Sequence, residues 1–194
     1  MSAVEARGKP GRVAGATREE VVARARAEFL ACRRVDMSAT AAACGVGRAT
    51  LYRWFGSREQ LLGEAMLGVV EGRIADARAH VGGHGAGALL DTFDLIYRGL
   101  AAAPHVGALI EREPDTALTV ITSSTGLVHP RMVELSQALI EAEVEHGGYS
   151  PTTIPPVLAY VLVRLAEGLL FNPADDLSND LDHLREILAA LIGA

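Results

Sequence analysis

The chain has 194 residues, 49% of them hydrophobic and 22% charged, which suits one full-sized core and is too apolar for a disordered chain. Its net charge of −6 conceals a division: residues 1–64 hold eleven Lys/Arg against seven Asp/Glu (+4), and residues 65–194 hold seven against seventeen (−10), so only the N-terminal third suits a polyanion. Two cysteines without CxxC spacing, no signal-peptide pattern and no apolar run near the roughly 20 residues of a membrane span argue against a disulfide framework and a membrane partner, and make a reducing cytoplasm the expected compartment.

Residues 1–16, MSAVEARGKPGRVAGA, lack apolar periodicity and read as a flexible basic arm carrying Arg7, Lys9 and Arg12. Thr17 and Glu20 then form a T-x-x-E capping box, and Val22, Ala25, Phe29 and Cys32 recur at helical spacing, predicting a helix to about Arg34. Two short helices are expected at Ser38 to Cys44 and Arg48 to Phe55. Between them Gly45 takes the left-handed turn and Val46 plugs the angle. A fourth helix starts at Ser57, with Gln60 completing a second capping box, and runs through Leu61, Ala65 and Val69 to about Ala79 before GGHGAG (82–87) breaks it.

Helical period returns at Leu89, Phe93, Ile96 and Leu100, and further helices are expected at about 104–112, 115–123, 129–146, 154–171 and 178–192. The chain therefore reads as all-α, with about nine helices. VLAYVLVRLAEGLL is apolar nearly all round and should be buried on several sides, whereas Leu181, Leu184, Leu188 and Leu191 make a narrow seam on the last helix. Together these two helices read as half of a four-helix homodimer interface, carried by Val161, Leu165, Leu169, Leu184 and Leu188, or as a plain intramolecular core.

Within CGVGRATLYRWFGSREQLL (44–62), two arginines, a tyrosine and the single Trp54 fall on one helix of two turns, Arg48 to Phe55. Leu51 and Phe55 lie four apart and point inward with Val46, leaving Arg48, Ala49, Thr50, Tyr52, Arg53 and Trp54 on the outer surface. A helix-turn-helix uses such a surface: arginine forks onto guanine O6 and N7, alanine meets a thymine methyl, and Tyr or Trp donors clamp phosphates. Arg58 in the next helical turn is placed to reach a flanking phosphate.

TAAACGVGRATLYRWFGSREQLL (40–62) resembles the DNA-binding signature of the TetR family of bacterial regulators. The resemblance implies a three-helix DNA-binding domain over residues 17–62 and a helical ligand-binding and dimerisation domain over 63–194. Carried over by position, it implies that Thr50, Tyr52, Trp54 and Arg58 hold phosphates while Arg48, Ala49 and Arg53 face bases, with Tyr52 able to do both. Gly47 stands where the family usually has a Ser or Thr N-cap, which removes a side-chain cap and one phosphate contact at modest cost. Thr40 replaces the usual aliphatic residue on the second helix. EREPDTALTVITSSTG and VRLAEGLL resemble the subgroup that includes QsdR, a likeness that does not fix the ligand.

Competing chemistry is weak. His80 and His84 have a helical metal-ligand spacing but glycines lie between them, and Ser123 and Ser124 lack any G-x-S-x-G context. No metal, no cofactor and no catalysis are expected. Gly99, Ala101, Ala102, Gly107 and Ala108 suggest room for a cavity, bordered by residues 69–74 of the fourth helix. Its expected ligand contacts are Phe93, Tyr97, Leu109, Ile121, Met132 and Leu135, with Arg112 reaching in. Two function classes follow: a homodimeric DNA-binding repressor released from a palindromic operator by a small apolar effector, or a helical small-molecule-binding or hydrolytic protein with no DNA role. The outer surface of residues 48–54 and the charge division favour the first.

Overall fold

The structure, a computed structural model, describes residues 15–171 and 181–194. The basic residues of the expected arm and the expected start of the last helix lie outside the described residues. Within them the chain forms ten helices and no strand, one for each helical segment read from the sequence, where the expected count is about nine: α1 Arg18–Leu30, α2 Met37–Ala43, α3 Arg48–Phe55, α4 Arg58–Val81, α5 Ala86–Ala101, α6 Pro104–Arg112, α7 Pro114–Thr122, α8 Val128–Glu145, α9 Pro155–Phe171 and α10 Leu181–Ile192.

The start of α1 is set as its capping box requires. The Glu20 N–H donates to Thr17 Oγ1 (3.2 Å) and the Thr17 N–H to Glu20 Oε2 (2.7 Å). The helix stops at Leu30, short of Arg34, because Cys32 takes a left-handed φ of 56° that no glycine signals in advance. Its buried stripe is Val21, Ala25 and Phe29; Val22 and Cys32 are only partly covered. Asp36 caps α2 by accepting from the Ser38 and Ala39 N–H groups (2.9 and 2.8 Å), and these bonds, Ala39's foremost, hold its carboxyl below the usual range.

Gly45, at φ 64°, turns the chain from α2 towards α3, where a side chain would be strained. The Ala16 N–H donates to the Cys44 carbonyl (3.1 Å), so the end of the expected arm is fixed beside this turn. The 24 residues of α4, about 36 Å at the helical rise, run from the α3 junction into the rest of the bundle.

Two hydrophobic clusters form the core. The first joins α1 to α4 with Val106 and Leu109 of α6 and Ala117, Val120 and Ile121 of α7; the second joins Ile74 and Ala77 of α4 with α5, α8, α9 and α10. The break between α4 and α5 is held in place. Buried Glu143 on α8 accepts from Arg78 (2.7 Å) and from the Gly85 N–H (2.7 Å), and Arg78 also donates to the Gly82 and Gly83 carbonyls (3.2 and 2.9 Å). Glu143 thus supplies the negative charge at the start of α5 that Gly85 cannot. His84 in this turn stacks on His146 at 4.0 Å.

The two last helices differ from expectation. Leu184 and Leu188 belong to the second cluster of their own chain, where α10 lies against α5 and Arg185 reaches Asp91. Periodicity showed which side of α10 is apolar; its partner is α5. Conversely α9 is not buried all round, since Val157, Tyr160 and Val161 stand exposed along one side.

Candidate nucleic-acid interface and cavity

Helix α3 is short, and its orientation is fixed by two side chains. Leu51 and Phe55 are buried in the first cluster, and the half-buried Val46 packs against it while its N–H donates to the Ala41 carbonyl (3.0 Å). The N-cap Gly47 makes no side-chain hydrogen bond, as glycine must. Arg48, Ala49, Tyr52 and Arg53 consequently face out, while Thr50 is half-buried. Trp54 is half-buried too, its ring edge-on to Phe55 with centroids 6.3 Å apart, so it is less exposed than its helical position suggested.

The arginines divide sharply. Among the described residues every arginine has a hydrogen-bond or ion-pair partner except Arg26, Arg48, Arg53 and Arg73. Two of these four are the outward arginines of α3. Arg58, expected at a phosphate, is turned the other way: its Nε donates to the Val35 carbonyl (2.5 Å) and its two Nη atoms lie 2.7 and 2.8 Å from the Glu113 carboxylate. Its partner lies 55 residues away, where no local spacing could show it.

A cavity of about 60 Å³ lies among α4, α5, α6, α7, α8 and α9, with Phe29 of α1 in its wall. Of the expected contacts, Phe93, Tyr97, Ile121 and Met132 line it. Leu109 and Arg112 instead line a second space of about 30 Å³ beside Arg58 and Glu113, where Arg112 donates to the Cys32 carbonyl (2.5 Å). Leu135 packs into the second cluster without reaching the cavity. None of the five small residues lines this cavity: Ala101, Ala102 and Gly107 are exposed, and Gly99 and Ala108 are half-buried outside the lining. Tyr97 contributes its ring only; its hydroxyl donates to the Leu162 carbonyl (2.5 Å), and burial pushes its pKa up.

The polar lining was missed by sequence reasoning. It consists of Arg73, His105, Ser136 and Glu167. Arg73 had a signal, since it lies within the 69–74 stretch of α4 expected at the cavity; the others carry none, because a single polar residue in an apolar stripe looks like a break in the pattern. The Glu167 carboxylate is fully engaged, with Oε1 2.7 Å from His129 Nδ1 and Oε2 accepting from Arg164 (2.8 Å). His105 sits edge-on to Phe29 at 4.8 Å, and burial first, then the Arg73 charge, holds its pKa below the ordinary histidine range.

Residues 31–65 match the family model described as bacterial regulatory proteins, tetR family, and residues 84–193 match that of the tetracyclin repressor-like C-terminal domain. Among solved structures, the R. erythropolis transcriptional repressor QsdR from the TetR family is 28% identical and superposes with a TM-score of 0.82, over 91% of this chain and 94% of that one. The TetR family repressor AlkX from Dietzia sp. strain DQ12-45-1b, 24% identical with a TM-score of 0.64 over 94% and 97% of the two chains, shares the fold. No curated protein matches the sequence.

Proposed function

The chain belongs to the TetR family of DNA-binding transcriptional regulators, and on that premise we propose that it is a homodimeric repressor whose α3 reads a palindromic operator and whose cavity takes the effector that releases it. The observation that carries the reading is the pair of unpartnered guanidinium groups, Arg48 and Arg53, on a helix pinned from behind by Leu51 and Phe55. Solvation alone explains one such arginine; two beside Tyr52 and Ala49 on one short helix form a surface for base edges. Thr50, Tyr52 and Trp54 supply phosphate contacts, the Gly47 backbone allows close approach, and the basic arm attached beside the α2–α3 turn reaches adjacent backbone.

One helix this short gives few base contacts, and a two-fold dimer doubles them across half-sites about 34–36 Å apart or a multiple of that. The exposed side of α9, Val157, Tyr160 and Val161, with half-buried Leu165 and Leu169 further along it and Ile187 of α10, is the face for that contact. Release follows from shared walls. The helix α6 lines the cavity through His105 and Val106 and leads directly to Glu113, which grips Arg58 at the start of α4 beside α3. A molecule that wedges α6 away from α4 therefore shifts the base of the recognition helix, and a coupling of about 1–3 kcal/mol would weaken operator binding roughly 5- to 150-fold.

A gel-shift titration of the whole chain against the DNA upstream of its own coding sequence tests the first claim. Saturable binding to a palindromic segment, competed poorly by random duplex, is the expected result. Equal affinity for both duplexes would leave α3 without a reading role.

A further inference from the structure

Arg73, His105 and Ser136 are three polar side chains on the cavity wall with no hydrogen-bond partner among the described residues. Outside the cavity the one buried side-chain nitrogen or oxygen without a partner among the described residues is Arg26 Nε. Glu143 is fully engaged although nearly inaccessible, and Glu167 of the cavity itself has both oxygens taken. His105 and Ser136 are only 6% and 3% exposed, and both line the cavity. Arg73 stands at the rim. One of its Nη atoms lies 3.4 Å from the point where a Cβ on Gly99 would sit, so its guanidinium crosses from α4 to α5 over a residue that leaves it room.

The remainder of the lining is hydrocarbon and aromatic, including Phe93, Ile96 and Met132. On the reading that this cavity is the effector site, we infer that its ligand is an apolar molecule with an anionic head group, a carboxylate or its equivalent, held by Arg73 and hydrogen-bonded by His105 and Ser136.

Charge decides between head groups. A cationic head meets Arg73 with no free carboxylate to answer it, because the charge of Glu167 is already matched by Arg164 at 2.8 Å. A neutral head can occupy His105 and Ser136 but makes no use of the charge of Arg73, whose exposed guanidinium then stays with solvent. An anion satisfies all three, and a carboxylate has lone pairs for a guanidinium, a ring N–H and a hydroxyl together. The cavity of about 60 Å³ lies far below the volume of an occupied ligand pocket, so entry requires the walls to part. Met66 and Met132 are the side chains suited to that adjustment, and Arg73 at the rim can follow the head group.

The test uses the full chain without DNA and three probes of equal chain length: octanoate, 1-octanol and octylamine, each titrated by calorimetry. Octanoate should bind at least tenfold more tightly than 1-octanol, and octylamine more weakly than either. Arg73→Met keeps an unbranched apolar stem and removes the guanidinium with its charge; it should lower octanoate affinity at least tenfold and leave 1-octanol unchanged, while Arg73→Lys should retain most of the octanoate affinity. Equal binding of octanoate and 1-octanol, no binding of any probe, or an octanoate affinity indifferent to Arg73→Met would overturn the assignment. The effector role is read separately, by operator affinity with and without octanoate. Arg73-dependent binding that leaves DNA affinity untouched would keep the head-group assignment and remove the effector reading.

Discussion

Arg58 and Glu113 form a two-pronged ion pair, with contacts of 2.7 and 2.8 Å, that ties the first turn of α4 to the junction of α6 and α7. Both side chains are about six-sevenths buried, at 14% and 17% exposure, so solvent screens the pair less than it would a surface bridge. Glu113→Gln should therefore lower stability by about 1–3 kcal/mol, within the range for a charged hydrogen-bond partner removed from a covered site. Urea unfolding of Glu113→Gln, Arg58→Met and the double variant isolates the coupling. A coupling energy below about 0.5 kcal/mol would reduce this contact to a surface bridge and take it out of the proposed transmission.

On α3 the expectation concerns selectivity. Arg48→Ala and Arg53→Ala should each cost about 1–3 kcal/mol on the operator and relax the preference at one position per half-site. Neither arginine has a partner among the described residues to lose, so thermal stability should stay within about 0.5 kcal/mol of the parent. Uniform weakening across operator variants would mark these arginines as phosphate contacts.

The two faces of the last helices should respond differently to charge. Val157→Glu alters an exposed position, 45% accessible, and should give a folded monomer; Leu188→Glu places a carboxylate at a site with 0% exposure and should unfold the chain. Sedimentation and circular dichroism separate the outcomes. A dimer that survives Val157→Glu together with Tyr160→Glu would place the interface elsewhere.

His105 gives the protein a pH dependence of known sign. Its pKa is lowered in the folded chain by burial and by Arg73, and the small cavity on its other side gathers Arg33, Arg34, Arg58 and Arg112 around the single carboxylate of Glu113. Below the ordinary histidine value of about 6.5 the unfolded chain binds a proton that the folded chain does not, so stability falls as pH drops through that value. His105→Phe keeps a ring against Phe29 and should remove this component. The loss of urea midpoint between pH 7.5 and pH 5.5 should be smaller in the variant than in the parent, and identical losses would show that His105 titrates alike in both states.

The bounds of α3 and its buried pair were legible in the sequence because a two-turn helix with one buried pair has few ways to face, although Thr50 and Trp54 are more covered than their positions implied. The expected bounds of α6 and α7 lie within a residue of those found, and Pro104 and Pro114 open the two helices, where proline gives up an N–H that needs no partner. The end of α1 was hidden because Cys32 adopts a backbone conformation that its side chain does not favour. Periodicity also could not name partners. It made α10 apolar on one side without saying that α5 covers it, and it gave Arg58 an exposed helical position without revealing Glu113. The polar side of the cavity was the least visible part, because His105, Ser136 and Glu167 come together only through packing of α6, α8 and α9.

Phe29 of α1 and His105 of α6 touch ring to ring, and the core beneath α1 to α3 is completed by Val106, Leu109, Val120 and Ile121. For anyone building a chimaera, residues 17–62 are therefore not a portable cassette. Grafted onto another regulator's bundle, they would carry the base-facing side chains but lack the floor on which Phe29 and Leu62 rest. The exchangeable unit is larger and discontinuous: the first three helices, the opening turns of α4, and the facing sides of α6 and α7, transplanted together.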